Sequence, residues 1–537
     1  MAAPAPALDE DLLPDSGGEL GRSSGKRRRG PPDGPSTLNE ADLWPIFFRK
    51  CLDPVAQRAL DAHFARGMWL AVDYGGAGGW ETAFSHVNTQ SSRSHRGPHR
   101  GLTVYRVGDA SVKCRHVLLN HRGSSAAQHV FGSLESFVDP EVLQRARRVQ
   151  AKFAQDFESR VQAGESEDYV KLDVGEQLYL ELAELFCEDG AIKDEAHCFR
   201  HGKDCPLTGE DVLEAFHRGE CIGAAASPVY KDPLTMSTVS TTYLKQAGKY
   251  ALSFCIFGAC RKKNQDLESI VFVESVKRHP TTQLLKKFLP AGQHLYCSFV
   301  YSPTNIGYAY ERERRFTVAV NLKLMWPTVG TSLVISPALR FQHTVVASSS
   351  IYFNAPESAL HNERERVARV CSKPAGLPAR ALLNETMYAR LLDYESVARN
   401  SPPGTEHYWD ITQNEDFHDG TRPIVRCQTM STLSWAWHLS RWMIGRESMQ
   451  LQGYHLFGEP LSSPFECPFL ALATRPQGFI LESDWQCMAG NGLHIPCAGA
   501  LICELLSSFQ HRRPLLVDLT YGPDDEDMGP DDDEDME

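Results

Sequence analysis

The sequence predicts a doubly wound α/β fold with a mainly parallel sheet. Two observations predict it. From Met68 onward, short apolar runs alternate with helical patterns, and strands that alternate with helices imply a parallel sheet covered on both faces. The first apolar run also leads directly into a glycine-rich turn, "DYGGAGGW", with Gly75, Gly76, Gly78 and Gly79. An apolar strand, a bare turn and then a helix is the usual opening of a nucleotide or cofactor site. The alternative for that stretch is an ordinary flexible turn.

Residues 1–40 are rich in Pro, Gly, Ser and Ala and are expected to lack structure. They carry the run Lys26, Arg27, Arg28, Arg29, which reads either as a nuclear-import address or as a solvated basic patch. Residues 41–326 hold the α/β pattern. "MWLAVDY", "LTVYRV", "ECIGAAA", "LESIVFVES", "HLYCSFVY" and "RFTVAVNLKL" read as strands, and "DASVKCRHVLLNH" reads as a helix. Two segments look inserted. The polar stretch Ser85–Gly101 is expected to be a loop, and about 141–218 a charged helical insertion opening on "DPEVLQRARRVQAKFAQDFESRVQ". The rhythm is lost over 327–430, which predicts a second domain or a large insertion. It returns over 431–515, with helices expected at Trp435–Gly453 and Pro496–Phe509. Residues 516–537 form an acidic tail unable to bury a core.

Hydrophobic residues at 42% and charged residues at 23% are ordinary for a soluble globular protein. The net charge of -13 argues against a uniformly basic nucleic-acid binder, but much of it lies in the tail. The body is close to neutral, so a local basic groove for DNA stays open. No uninterrupted apolar run approaches the ~20 residues of a membrane span, and no signal-peptide core opens the chain, so an intracellular, non-membrane protein is expected. The 15 cysteines are then reduced thiols. Cys187, Cys198, His201 and Cys205 lie near one another in sequence, but without a CxxC pair they match no common zinc finger. Buried thiols and an exposed histidine are the alternative, and no metal is expected.

Two stretches near the C-terminus point to a family. The first is "RWMIGRESMQLQGY", with Arg441, Arg446, Glu447, Gln452, Gly453 and Tyr454. The second is "GNGLHIPCAGALICELL", with Gly490, Asn491 and Pro496. In this order they resemble the last two motifs of the DNA (cytosine-5) methyltransferase family. The glycine turn resembles that family's FxGxGG motif as Tyr74, Gly75, Gly76, Ala77, Gly78 and Gly79. "YRVGDASVKCRHVLLNH" resembles its second motif, leaving Asp109 as the only carboxylate for the ribose hydroxyls. "HVFGSLESF" resembles the third, with Ser133 in place of aspartate, and "IVFVESV" resembles ENV, with Glu274. "NIGYAYERERRF" resembles QxRxR, with Tyr310 for glutamine and with Arg312 and Arg314.

The resemblance implies a fold of the S-adenosylmethionine-dependent methyltransferase type with a target-recognition domain at about 327–430. It implies S-adenosylmethionine over Gly75–Gly79, near Asp109 and Asn491, and duplex DNA as partner. Glu274, with Arg312 and Arg314, would hold a cytosine flipped from the duplex. It also implies that the helix after Pro496 packs beside the glycine turn. If the glycines are bare for the ligand's sake, Gly78→Val removes cofactor binding and leaves the fold intact.

The family's chemistry also needs a cysteine after a strand, in a PCxxxS-type motif, because C5 of cytosine is a poor nucleophile until a thiolate adds to C6. The matching place reads "ECIGAAASPVYKDPLTMS", with Val229 and Tyr230 where sulfur is needed. Cys221 falls on the strand, and Cys205 comes too early. Two classes of function therefore compete. One is an active DNA methyltransferase with a different nucleophile. The other is a methyltransferase-like DNA-binding or regulatory protein without turnover.

Overall fold

The computed structural model describes residues 52, 54–73, 75–94, 100–218, 221–230, 241–277, 279–328, 348–402, 404–414, 423–457, 467–475 and 479–512. The basic run Lys26–Arg29, Tyr74 and the acidic tail lie outside them. The described residues all fall within one compact unit.

At its centre is a sheet of nine strands: β1 Met68–Asp73, β2 Leu102–Gly108, β3 His129–Phe131, β4 Glu195–Cys198, β5 Lys203–Pro206, β6 Ile222–Tyr230, β7 Glu268–Ser275, β8 His294–Tyr301 and β9 Arg314–Asn321. Their spatial order is β5-β4-β3-β2-β1-β6-β7-β9-β8. β3, β2, β1, β6 and β7 pair in parallel, whereas β4, β5, β9 and β8 add antiparallel pairs at the two edges. The fold is therefore α/β, doubly wound and mainly parallel. The winding reverses between β1 and β6, and such a switch point opens a crevice at the carboxyl ends of the strands.

One face of the sheet is covered by helices Pro54–Arg66, Gly79–Ser94 and Ile495–Ser508, in a core that includes Phe64, Trp80, Phe84, Phe272, Leu501 and Ile502. The other is covered by helices Pro140–Gln162, Glu167–Phe186 and Thr241–Lys263, around Phe153, Leu182, Phe254 and Phe257. β7 is buried at every position, as expected of a central strand sandwiched by helices. The C-terminal apolar stretch Glu482–Ser508 is long enough to cross a membrane. It is broken into helices Glu482–Gly490 and Ile495–Ser508, however, and 89% of its most apolar window is buried inside the protein.

Two expected elements differ. Ser85–Ser94 is not a loop but the second half of the helix Gly79–Ser94. Trp80, Ala83, Phe84 and Val87 make one buried stripe at helical spacing, and that stripe outweighs the polar composition of the remaining positions. Trp435–Gly453 is not one helix. Ser434–Ala436 and Arg441–Trp442 pair as short strands, with Tyr408–Asp410 as a third, and the helix runs only over Gly445–Gln450. Trp409, Trp435 and Trp442 join a separate core with Leu360, Leu382, Leu391 and Tyr394, drawn from helices within 357–399.

Candidate active site

The glycine turn leaves β1 at its carboxyl end. Gly75 N–H donates to Gly108 O at 2.8 Å, tying the turn to the end of β2, and Gly76 and Gly78 take positive φ of 56° and 87°. Asp109 follows β2 and closes the turn: its Oδ2 accepts from Gly76 N–H at 3.0 Å and its Oδ1 from Ser111 N–H at 2.7 Å. Burial holds its carboxyl above the ordinary value, while those amides and the Arg115 charge counter it in part. The Cys114 thiol is a third donor to this carboxylate, which leaves acceptor capacity for about one more hydroxyl, so Asp109 both builds the turn and remains able to accept a hydroxyl.

Packing explains most of the bareness. A Cβ on Gly75 would lie 2.5 Å from Val107 Cγ2, on Gly78 2.0 Å from His121 Cε1, and on Gly79 2.8 Å from Leu493 Cβ. Gly76 alone among the turn glycines faces open space, with nothing within 4 Å of its would-be Cβ. The expectation that Gly78→Val spares the fold is thereby overturned, because valine at Gly78 meets the His121 ring before it meets any ligand. Burial keeps that ring neutral, with a pKa of about 4, and its Nε2 lies 3.0 Å from Ala77 O, so it serves the turn as a donor.

Glu81 was not anticipated. It sits in the first turn of the helix Gly79–Ser94, is fully buried, and its carboxyl stands behind Gly75. Beyond its own backbone N–H, neither carboxyl oxygen has a hydrogen-bond partner among the described residues. Burial pushes its pKa up to about 8, and the nearby Asp109 adds to this. By contrast Asp73, at the end of β1, is consumed by buried partners, Arg261 at 2.8 Å and Arg106 at 3.5 Å.

The second group of predicted residues gathers at the ends of β7 and β9. Glu274 is buried near the end of β7. Burial pushes its pKa up to about 7, and the Arg312 and Arg314 charges oppose the shift without cancelling it. Arg314 Nε stands 3.7 Å from Glu274 Oε1. Arg312 is occupied differently, donating to Gln428 O at 3.1 Å, Gly490 O at 3.3 Å and Gly492 O at 2.7 Å. It pins two distant loops to β9 rather than presenting its donors to a pocket. Tyr310, in the glutamine position, accepts from Gln452 Nε2 at 3.0 Å and from Gln428 N–H at 3.3 Å. The Arg446–Glu447 pair is split between Glu482 at 2.5 Å and Arg441 at 2.8 Å, both structural ion pairs.

Among these groups lies a cysteine that spacing alone did not reveal. Val425 bridges Tyr310 in parallel and Glu311 N–H donates to Val425 O at 3.0 Å, so Cys427 falls beside Arg312 two residues further along each chain. Cys427 Sγ is 3.3 Å from Arg314 Nη2 and 3.8 Å from Arg312 Nη1. Burial would raise the thiol pKa, but the Arg314 and Arg312 charges outweigh it and hold the thiol below its ordinary value. Cysteines become reactive in such cationic surroundings. Val229 and Tyr230 close β6, where Tyr230 pairs with Ser275 beside Glu274. Cys221 and Cys205 are buried.

One segment joins the two groups. Gly490 and Gly492 give their carbonyls to Arg312, and Leu493 packs on Gly79. The next helix, Ile495–Ser508, packs on the helix Gly79–Ser94 as expected. Asn491 itself caps Glu482–Gly490 and is exposed.

No family model matches the sequence, and no curated protein matches it. Among solved structures, the Dnmt2 methyltransferase of S. pombe is 11% identical with a TM-score of 0.36, covering 82% of this chain and 97% of its own. The methyltransferase EhMeth of Entamoeba histolytica is 10% identical with a TM-score of 0.33, covering 82% and 98%. A putative DNA modification methyltransferase encoded within an E. coli prophage is 9% identical with a TM-score of 0.35, covering 82% and 98%. At such TM-scores these likenesses carry no inference, and the functional reading rests on the chain's own residues.

Proposed function

We propose that this chain is an S-adenosylmethionine-dependent methyltransferase acting on C5 of cytosine in duplex DNA, with Cys427 supplying the thiolate that Val229 and Tyr230 cannot. The observation that carries the reading is the segment Gly490–Leu493. It sets the glycine turn on one side and Arg312, with Glu274 and Cys427 around it, on the other. A cofactor site and an acid–thiol pair so joined suit group transfer between two bound molecules.

The residues at the turn fit the cofactor. Gly76 faces open space, Asp109 can still accept from a ribose hydroxyl, and Glu81 is a buried acid still lacking a partner, suited to the α-ammonium. Bound there, S-adenosylmethionine supplies an electrophilic methyl group. The chain's own residues prepare the base. The Cys427 thiolate adds to C6, and the C5–C6 π electrons shift to make C5 enamine-like. Glu274, whose carboxyl burial pushes up to a pKa of about 7 so that a protonated fraction persists near neutral pH, gives its proton to N3 as that nitrogen gains charge. After C5 is substituted, solvent takes its proton, the electron pair re-forms the C5–C6 double bond and expels the Cys427 thiolate, and N3 returns its proton to Glu274. Residues 327–430 serve as the target-recognition domain, and Lys26–Arg29 as a nuclear-import address.

A second reading, DNA binding without turnover, is favoured by the absence of sulfur at Val229 and Tyr230. Duplex DNA containing 5-fluorocytosine, incubated with protein and cofactor, distinguishes the two. A trapped adduct mapped to Cys427 and lost in Cys427→Ser is expected. Salt-sensitive binding without an adduct establishes the second reading, and an adduct on RNA alone moves the substrate class.

A further inference from the structure

We infer that the chain holds a structural zinc ion at the β3 edge of the sheet, bound by His129, Cys198, His201 and Cys205. The ligand atoms of these four side chains all lie within 4.8 Å of one another. Cys198 ends β4, His201 lies in the connecting turn and Cys205 is on β5, giving C-x2-H-x3-C on one hairpin, while His129 opens β3. Cys187, the nearer candidate in sequence, instead caps the helix Glu167–Phe186.

His201 Nδ1 is 3.4 Å from Cys198 Sγ and 3.4 Å from Cys205 Sγ. With Zn–S of about 2.3 Å and Zn–N of about 2.0–2.1 Å, the edges of a tetrahedral site fall at ~3.3–3.8 Å. His129 Nδ1 is buried and has no hydrogen-bond partner among the described residues. Two thiolates with two neutral imidazoles are a soft set that favours Zn(II) over Mg(II) or Ca(II). Binding releases the two thiol protons to solvent.

The hairpin's strands are four residues each, and β4 meets β3 through the ladder pair Phe131–Cys198 and the Phe199 N–H bond to Val130 O at 2.7 Å. An ion shared by His129 and the hairpin would fasten that edge. It would also steady Phe199, whose ring lies under Arg115 at 4.4 Å, the same Arg115 that donates to Asp109 O at 2.9 Å.

The inference is independent of catalysis and so is its test. Full-length protein purified without chelator and analysed for metals is expected to carry about one zinc per chain. The double substitution Cys198→Ser/Cys205→Ser should lose it, whereas Cys187→Ser and His197→Ala should retain it. Exchange with Co(II) should give the ligand-field bands of tetrahedral thiolate coordination in wild type. That readout needs no folded variant. Folded wild type that lacks zinc and refuses Co(II) would overturn the inference. So would a Cys198–Cys205 disulfide in its place, or stoichiometric zinc in the double variant.

Discussion

The two walls of the proposed site, the glycine turn as cofactor wall and the Arg312 cluster as base wall, are built on opposite principles. At the glycine turn the main chain does the shaping, and the side chains around it, Val107, His121 and Leu493, fill the space that a Cβ would need. One acid, Glu81, is left buried without an answering charge. At the ends of β7 and β9 the side chains do the shaping. Arg312 is saturated by carbonyls, and Arg314 stands between a carboxyl and a sulfur. The first wall carries an acid that burial keeps mainly protonated near neutral pH; the second is held together by positive charge. Each can be broken separately.

The largest effect is expected at Arg312. Its guanidinium joins Gln428, Gly490 and Gly492, and truncation strands three buried carbonyls at once. Arg312→Ala should cost about 3–5 kcal/mol, as for other buried charged networks that lose one partner. Arg312→Lys should recover only a fraction, since an ammonium cannot span the fork. Urea midpoints read this directly. A near-wild-type midpoint for Arg312→Ala would mean that the base wall is not held by this residue.

Next comes a contrast within the turn. Gly78→Val combines a φ of 87° with a clash at 2.0 Å on the His121 ring, and should destabilise by about 2–4 kcal/mol. Gly76→Asn meets open space at a φ of 56°, which asparagine tolerates, and should cost roughly 1 kcal/mol. Cofactor affinity, measured by calorimetry on protein shown to be folded, should nevertheless fall for Gly76→Asn. Equal stability of the two variants would remove the distinction between packed and ligand-facing glycines.

What the sequence revealed follows the same division. Main-chain requirements leave local marks: the glycine turn, the continuous apolar run of β7 and the amphipathic helix Pro140–Gln162 were all legible. The stripe Trp80, Ala83, Phe84, Val87, which carries the helix through Ser85–Ser94, was hidden by polar composition, and a loop was expected there. Trp435 and Trp442 misled in the other direction, since aromatic residues near a helical motif suit paired strands equally well. Side-chain convergence leaves no local mark. Cys427 reaches the site only because Val425 bridges Tyr310, and His129 joins Cys198 only because β3 borders β4. Neither partnership is written in spacing.

Glu81 offers a milder, pH-dependent test of the cofactor wall. Its folded pKa of about 8 is raised above the ordinary carboxyl value by burial. Between those two pH values the folded state keeps a proton that the unfolded chain releases, so stability is greatest at acid pH and falls as pH rises through about 8. Glu81→Gln does not titrate. It should match wild type at acid pH and exceed it increasingly as pH rises from the unfolded carboxyl value to the folded pKa of about 8, above which the gap levels off. S-adenosylmethionine should narrow that gap, because its ammonium favours the ionised acid. Parallel pH profiles for the two proteins would show that Glu81 finds its charge partner within the chain.

A smaller expected change in stability, and the sharpest test of the base wall, is at Arg314. This side chain holds one carbonyl, that of the neighbouring Glu313, and the Glu274 carboxyl beside it can take up a proton when the charge is removed, so Arg314→Ala should cost less stability than Arg312→Ala. Its charge nevertheless acts on two groups. It is the first of the two cations that hold the Cys427 thiol below its ordinary pKa, and it also restrains the upward shift of Glu274. Removing it should move both groups upward. Alkylation of Cys427, followed peptide by peptide so that exposed Cys371 serves as the internal reference, should then need more alkaline pH than in wild type. The Cys371 profile should stay in place. An unchanged Cys427 profile would mean that Arg312 alone polarises the sulfur. A profile that moves while the urea midpoint falls less than for Arg312→Ala would establish the base wall as an electrostatic device distinct from the scaffold that Arg312 provides.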